Sequence, residues 1–228
     1  MRLPLLIFMF CAAPACAQQG FEELRHEMVK VQIAARGIRD TATLRAMRSV
    51  PRHEFVPPEL ISGAYGDFAL PIGSGQTISQ PYIVALMTEL IDPANAAKVL
   101  EVGSGSGYQA AVLAEIVDSV YTIEIVPELA SSAAKRLKRL GYENVVVRQG
   151  DGYLGWPEHA PFDAILVTAA PDHIPDPLVA QLNDGGVMVI PVGSAGSIQS
   201  LTVVRKEDGK VVTESKLPVR FVPLTRER

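Results

Sequence analysis

From residue 98 onward, short apolar runs alternate with longer segments whose apolar side chains recur every three or four positions. A short apolar run between polar or turn-forming residues predicts a buried strand, whereas the wider spacing predicts a helix. The predicted strands are residues 98–102, 120–125, 145–148, 164–168 and 187–191. The predicted helices between them are residues 107–116, 127–140 and 176–182. Regular alternation of this kind is typical of a parallel sheet with helices on both faces.

The residues before this alternating region follow a different pattern. Residues 20–50 carry apolar side chains at helical spacing, which predicts helices. Gly37 can end the first of them, and Asp40 or Thr41 can cap a second one. Residues 51–75 are rich in proline, glycine and aromatic side chains, which predicts an ordered but irregular segment.

A further helix is predicted from Ser79 to Ile91, just before the alternating region. Pro81 would lie in its first turn, where the missing N–H costs little. Ser79 is a residue type that commonly caps a helix N-terminus, so we expect it to be the N-cap.

At the other end of the chain, apolar runs at 200–206 and 210–216 flank Asp208-Gly209, a dipeptide typical of a tight hairpin turn. The expected fold is therefore α/β, a Rossmann-like doubly wound and mostly parallel sheet with antiparallel C-terminal strands and an N-terminal helical extension. We expect the extension to span residues 20–75 and the main domain residues 76–228.

The first residues form a separate segment. Arg2 precedes the apolar run Leu3–Phe10, and Ala15-Cys16-Ala17 follows it. This order of basic, apolar and small residues predicts a secretory signal peptide, residues 1–17, cut after Ala17. Three alternatives remain: lipidation of Cys16, a mistaken start codon, or a buried N-terminal helix.

Charge and cysteine content narrow the function classes. The formal net charge is −4, which gives the protein no electrostatic reason to bind nucleic acid or an anionic membrane surface. Both cysteines, Cys11 and Cys16, lie in the leader, so the processed protein would have no disulfide, no thiolate metal site and no cysteine nucleophile. We expect export to the periplasm or the exterior, with no membrane association after the leader is removed.

A glycine-rich turn follows the first predicted strand of the alternating region. The run Val99–Tyr108 reads VLEVGSGSGY and places Gly103, Gly105 and Gly107 where the strand meets its helix. Glycines there let the backbone approach a ligand at the carboxyl edge of the sheet. Tyr108 follows the third glycine, so the turn departs from the G-x-G-x-x-G pattern typical of dinucleotide sites.

Acidic residues near the ends of successive strands indicate a nucleoside ligand. Glu124 ends the second strand, where a carboxylate can accept hydrogen bonds from both ribose hydroxyls. Asp151 follows the third strand, near where the base would lie. Glu101, two residues before Gly103, occupies a position that is normally apolar in a buried strand. It can face a cationic amino acid or hold the turn through hydrogen bonds.

The chain between Arg39 and Leu224 resembles the protein-L-isoaspartate O-methyltransferase family. The motifs that carry the resemblance are HEFVP (53–57), ALPIGSGQTISQPY (69–82), VLEVGSGSGYQAAVLA (99–114), GDG (150–152), FDAILVTAAP (162–171) and RFVPL (220–224). The resemblance implies a class I methyltransferase domain at 76–228 that uses S-adenosyl-L-methionine. Members are usually cytosolic, which makes the cytoplasm the alternative to export.

The resemblance also implies roles for individual residues. Ser79 would be the active-site residue. The residues implied or predicted to line the cofactor are Thr77, Ile78, Gln80, Glu101, Gly103, Ser104, Gly105, Gly107, Glu124, Asp151 and Gly152. By their position at the end of the fourth strand, backbone groups of Val167, Thr168 and Ala169 could receive an extended substrate peptide. Thr225 matches a C-terminal threonine that lies near the cofactor in some members, and we place it on the substrate side. The implied substrates are damaged proteins and peptides with L-isoaspartyl residues.

The implied reaction, methylation of a carboxylate, fits the side chains available. A carboxylate is already an anion at neutral pH, so no general base is required. His26, His53, His159 and His173 are scattered along the chain, and none has the spacing of metal ligands. We therefore expect no metal and a positioning role for Ser79 rather than a nucleophilic one. We also expect the protein to be a monomer. The alternatives are methylation of another carboxylate, a non-catalytic nucleoside-binding module, and a nicotinamide-dependent reductase.

Overall fold

A computed structural model describes residues 13–226, with side chains from residue 20 onward. The predicted leader, residues 1–17, therefore lies outside the described residues except for the backbone of 13–17. None of the helices within the described range has the length and apolar character needed to cross a membrane.

A seven-stranded mixed sheet forms the centre of the molecule. Its strands are β3 (Lys98–Val102), β4 (Ser119–Glu124), β5 (Val145–Gln149), β6 (Phe162–Val167), β7 (Leu182–Val192), β8 (Gln199–Glu207) and β9 (Lys210–Val219). Their order across the sheet is β5-β4-β3-β6-β7-β8-β9. The strands β3 to β7 pair in parallel, and β8 and β9 add to the sheet in antiparallel fashion. The predicted fold class is thus confirmed.

Helices cover both faces of this sheet, and each face has its own cluster of buried apolar side chains. The larger cluster joins one sheet face to the N-terminal helices, so the extension packs into the main core. The α-helices are α1 (Ala13–Glu27), α2 (Thr41–Ser49), α3 (Pro81–Leu90), α4 (Tyr108–Ala114), α5 (Pro127–Arg139) and α6 (Asp176–Gln181).

The N-terminal extension ends its helices at the residues expected from the sequence. After α1 the chain continues through Met28–Ile33 and a 3₁₀ turn, and Gly37 ends it with a φ of +104°. The Asp40 side chain then caps α2 by accepting a hydrogen bond from the Thr43 amide. Of the two predicted caps, Asp40 is therefore the one the structure uses.

The segment 51–75 contains more regular structure than its sequence predicts. It forms 3₁₀ turns at Arg52–Phe55 and Pro58–Gly63, followed by a two-stranded hairpin of β1 (Leu70–Gly73) and β2 (Gln76–Ile78). The strands are too short for alternation to be visible, and Ser74 in the turn has a positive φ of 51°. The predicted boundary after residue 75 falls inside this hairpin.

Candidate active site

The glycine turn lies at the carboxyl edge of the sheet, as the position of β3 requires. The backbone amides of Gly103 and Ser104 both donate to the Ile123 carbonyl, at 2.8 and 3.1 Å. Gly103 has a φ of +102°, and a Cβ at this position would lie 2.4 Å from Thr168 Oγ1. Glycine is therefore required at residue 103 both by its conformation and by the close approach of Thr168.

Gly107, the last glycine of the turn, faces away from this edge. A Cβ at Gly107 would contact Leu137 and Ala133 of α5, at 3.2 to 3.5 Å. Gly107 borders none of the three cavities described below. Its placement indicates helix packing rather than the cofactor contact predicted from the sequence.

Glu124, at the end of β4, holds the glycine turn in place. One carboxylate oxygen accepts from the Gly105 amide at 2.7 Å, and the other accepts from the Val126 amide at 3.0 Å. A carboxylate offers about four acceptor positions, so these two bonds leave capacity for donors such as ribose hydroxyls.

Glu101 is fully buried beneath the turn, in a chain of hydroxyl hydrogen bonds. Its Oε2 accepts from Thr122, the residue directly opposite on β4, and Thr122 is bonded in turn to Ser104 at 2.6 Å. Its Oε1 has no partner within the described residues. Burial raises the Glu101 pKa to about 8; the Thr122 bond opposes this effect, and nearby Glu124 adds to it. An unpartnered buried carboxylate oxygen fits a cationic donor such as an ammonium group.

Three adjoining cavities lie at this edge of the sheet, and Thr77 and Thr168 border all of them. The strand-end cavity also includes Gln76, Val102, Gly103, Gly105, Ile123, Glu124, Ile125, Gly152, Ala169, Val222, Pro223, Leu224 and Thr225. The turn cavity includes Ile78, Ser79, Val84, Glu101, Gly103, Ser104, Gly105, Ser106, Tyr108 and Gln109. The outer cavity, of about 280 Å³, includes Ala69, Ser79, Gln80, Ile83, Pro218, Val219, Arg220, Phe221 and Val222.

Ser79 is half-buried and borders both the turn cavity and the outer cavity. Its carbonyl accepts a hydrogen bond from Arg52 Nη2 at 2.8 Å. The prediction that Ser79 caps α3 is wrong, because the N-cap is Gln80 and no side chain bonds to the helix amides there. Pro81 occupies the first helical position, which makes the residue immediately before it the cap.

Asp151 and Gly152 lie at the end of β5 and have different roles. Asp151 caps the following 3₁₀ turn by accepting from the Tyr153 amide at 2.9 Å, and its other oxygen accepts from Arg226 at 3.3 Å. Asp151 itself borders none of the three cavities, whereas Gly152 borders the strand-end cavity. A Cβ at Gly152 would lie 2.4 Å from Val102 Cγ1, so glycine lets this wall approach the sheet.

The predicted substrate contacts at the end of β6 are only partly brought together. Thr168 and Ala169 border the strand-end cavity, and Thr168 Oγ1 donates to the Gly103 carbonyl at 2.7 Å. Val167 borders none of the three cavities, and its side chain is fully buried in the smaller core cluster. The alternating side-chain direction of a strand turns residue 167 toward that core.

The chain's own C-terminal segment pairs with the backbone expected to receive a substrate peptide. The Ala170 amide donates to the Val222 carbonyl at 2.8 Å, and the Leu224 amide donates to the Ala170 carbonyl at 2.9 Å. This pairing places Val222 to Thr225 against the strand-end cavity. Of these residues the sequence predicts only Thr225. Long-range pairing brings in the others, and no local pattern reveals it.

Histidines contribute no acid–base group to these cavities. His53 stacks on Phe21 and is bonded to the Tyr65 hydroxyl at 2.7 Å, and burial lowers its pKa. His159 stacks on Tyr121. Within residues 13–226 there is also no cluster of three or more metal-ligating side chains.

The chain is similar to members of one enzyme family over nearly its whole length. The family described as Protein-L-isoaspartate(D-aspartate) O-methyltransferase (PCMT) matches residues 23–228. Protein-L-isoaspartate O-methyltransferase of Opitutus terrae is 55% identical over 229 residues, which cover 100% of this chain and 98% of the relative. Protein-L-isoaspartate O-methyltransferase 2 of Polaromonas sp. is 60% identical over 190 residues, which cover 83% and 90%.

Solved structures agree with these sequence relationships. One protein-L-isoaspartate O-methyltransferase superimposes with a TM-score of 0.81 at 32% identity, over 87% of this chain and 65% of that one. A second, from Plasmodium falciparum in complex with S-adenosyl-L-homocysteine, gives a TM-score of 0.78 at 26% identity, over 89% and 99%. The chain therefore belongs to the protein-L-isoaspartate(D-aspartate) O-methyltransferase family.

Proposed function

We propose that this protein transfers a methyl group from S-adenosyl-L-methionine to the free carboxylate of L-isoaspartyl residues in damaged proteins and peptides. The observation that carries the proposal is the continuity of the site: Thr77 and Thr168 form walls shared by the glycine-turn side and the Ser79 side. A donor held at the turn and an acceptor held at Ser79 would therefore lie in adjoining cavities.

The residues at the glycine turn fit an adenosyl amino acid. Glu101 offers an unpartnered buried oxygen for an ammonium group, and Glu124 retains acceptor positions for ribose hydroxyls. Gly103 and Gly152 both border the strand-end cavity, and the absence of a Cβ lets them approach Thr168 and Val102 closely. When bound, S-adenosyl-L-methionine supplies an electrophilic methyl group on a positively charged sulfur.

On the acceptor side, the chain's task is to orient an anion. An isoaspartyl carboxylate has an ordinary pKa of roughly 4 and is ionised at neutral pH, so no protein group has to remove a proton. The Ser79 hydroxyl can donate a hydrogen bond to one carboxylate oxygen and leave the other in line with the methyl group. Positive and negative charge cancel as the transfer proceeds. A cleft with little water therefore favours the transition state over the separated charges.

The products of this step are S-adenosyl-L-homocysteine and a methyl ester, whose carbonyl can expel methoxide, whereas a carboxylate has no comparable leaving group. Attack by the neighbouring backbone nitrogen closes a succinimide and releases methanol without help from the enzyme. Hydrolysis of that ring returns part of the material to normal aspartate, which is the repair role of this family.

The test is a methylation assay with labelled donor on an isoaspartyl peptide and its normal aspartyl twin. We expect labelling of the isoaspartyl form alone. Ser79→Ala should lower kcat/KM by about 10- to 100-fold, because it removes one positioning hydrogen bond. Equal labelling of both peptides would indicate a general carboxylate methyltransferase and refute the isoaspartyl assignment.

We also propose that residues 1–17 direct export and are removed, and that the processed protein is a monomer. The basic, apolar and small-residue order of the leader supports export. Mass spectrometry of the native N-terminus tests the first proposal, since a mature start at Gln18 requires cleavage and an intact Met1 contradicts it. Light scattering of the purified protein tests the second.

A further inference from the structure

Arg52 is a fully buried charged side chain next to the proposed active site. It lies in the 3₁₀ turn Arg52–Phe55 with an exposed fraction of 0%. Among the described residues no carboxylate lies within ion-pairing distance of its guanidinium. Burying a cation without a counter-ion costs free energy, so its contacts call for a physical explanation.

The guanidinium joins three segments that are distant in sequence. Its Nε donates to the Ala64 carbonyl at 2.8 Å, and its Nη2 donates to the Ser79 carbonyl at 2.8 Å. Its central carbon lies 4.8 Å from the centre of the Tyr108 ring. Tyr108 begins α4 directly after the glycine turn, so Arg52 connects the Ser79 segment to the turn that would hold the methyl donor.

Stability of the fold alone does not explain why a charged arginine is buried at this position. Nη1 has no partner in the described part of the chain, and burial lowers the Arg52 pKa while Tyr108 and Tyr65 oppose that effect. Arginine nevertheless stays protonated in proteins. A methionine could fill a similar space without the desolvation cost. The features that a methionine cannot reproduce are the charged donors on the Ala64 and Ser79 carbonyls.

We propose that Arg52 is a positioning residue for the methyl transfer, acting through Ser79. This inference rests on the proposed function. The bond to the Ser79 carbonyl fixes the backbone from which the Ser79 hydroxyl extends, and the stacking on Tyr108 sets that backbone relative to the glycine turn. The buried positive charge also favours an anionic acceptor in the adjoining cavity.

Reactions that depend on in-line geometry are sensitive to small displacements. A shift of roughly 1 Å in a positioning group can cost about 100-fold in rate. Loss of Arg52 frees the Ser79 carbonyl while leaving the Ser79 hydroxyl present. Loss of Arg52 should therefore lower kcat and weaken acceptor binding. Both effects should be large only when the Ser79 hydroxyl is present.

A double-mutant cycle tests this dependence. Arg52→Met, Ser79→Ala and the double variant are compared for kcat and KM on an isoaspartyl peptide. We expect Arg52→Met to lower kcat/KM by about 10- to 100-fold in the wild-type background, but by less than about threefold when Ser79 is already alanine. Arg52→Lys keeps the charge but not the planar donor arrangement, and it should recover only part of the loss.

Binding measurements separate positioning from general damage. Affinity for S-adenosyl-L-homocysteine should change less than about threefold in Arg52→Met, whereas affinity for the peptide, measured with that ligand bound, should fall about tenfold. If Arg52→Met fails to fold, as judged by its thermal transition, the cycle is run with Arg52→Lys.

Arg148→Met is the matched control for the cycle. Arg148 likewise donates to a backbone carbonyl, that of Gly155, and lies over an aromatic ring, Trp156, but it does not contact Ser79. Its effect should be the same with and without the Ser79 hydroxyl. An equal loss for Arg52→Met in both backgrounds would overturn the inference. A wild-type protein that methylates no isoaspartyl peptide would instead overturn the proposed function, and the role of Arg52 with it.

Discussion

Replacing Glu101 with glutamine should make the ligand-free protein more stable, by an amount that grows with pH. The native pKa of Glu101 is about 8, against an ordinary value of 4.5. Above pH 4.5 the unfolded chain gains free energy by ionising this carboxyl, while the native protein keeps it protonated. Each pH unit then lowers native stability by about 1.4 kcal/mol, which amounts to roughly 5 kcal/mol by pH 8.

Glutamine has nearly the shape of the protonated acid and does not titrate. It can accept from Thr122 through its carbonyl oxygen and leaves its amide group where Oε1 has no partner. Near pH 4.5 the two proteins should therefore have similar stability. By pH 8 the glutamine variant should be more stable by several kcal/mol.

Chemical denaturation at several pH values between 4.5 and 8.5, without ligand, measures the difference directly. The midpoint for Glu101→Gln should move progressively above that of the wild type as pH rises. Glu101→Gln should bind S-adenosyl-L-homocysteine more weakly than the wild type, because the variant offers no negative charge to an ammonium group. Parallel stability curves for the two proteins would refute the assignment of a raised pKa to Glu101.

Three other substitutions test separate parts of the structure. Gly152→Ala should weaken S-adenosyl-L-homocysteine binding at least tenfold in calorimetry, because the added Cβ would lie 2.4 Å from Val102 Cγ1. Adding Val102→Ala to this variant should restore part of the affinity. If it does not, the contact with Val102 is not the cause of the loss. Asp163→Asn should destabilise the protein near neutral pH by about 1–3 kcal/mol in urea. Burial raises the Asp163 pKa, but hydrogen bonds from the Lys98 amide, the Asn183 side chain and the Ala97 amide outweigh that effect and lower it. The stability difference between Asp163→Asn and the wild type should therefore disappear as pH falls below 3.8. A difference that persists in acid would contradict this account. Arg226→Ala should change the melting temperature by less than about 2 °C, because the bond to Asp151 is long and exposed, and a larger drop would show that the bond matters to folding.

Local patterns in the sequence predict most of the sheet and the glycine turn. The strand Lys98–Val102 is predicted to the residue, and Asp208-Gly209 forms the expected turn between β8 and β9. Both features depend on neighbouring residues, namely an apolar run and a dipeptide suited to a tight turn. The same holds for Glu124, whose position at a strand end is visible in the chain.

Features that depend on distant contacts are not predictable in this way. Ser79 is a good capping residue by type, yet the proline two residues later makes Gln80 the cap. The pairing of Ala170 with Val222 and Leu224 depends on how the chain returns to the sheet edge. Arg52 is hidden from sequence analysis for another reason, because arginine is ordinarily exposed and only the folded structure shows its burial.

Thr77 and Thr168 border all three cavities, and this placement affects how each ligand changes the binding of the other. A side chain that faces two ligands cannot adjust to one without changing the surface offered to the other. The two affinities are therefore thermodynamically linked: the factor by which bound donor strengthens acceptor binding equals the factor by which acceptor strengthens donor binding. Enlarging either threonine should alter the Michaelis constants for both ligands together, and an acceptor held in place should slow the exchange of spent donor.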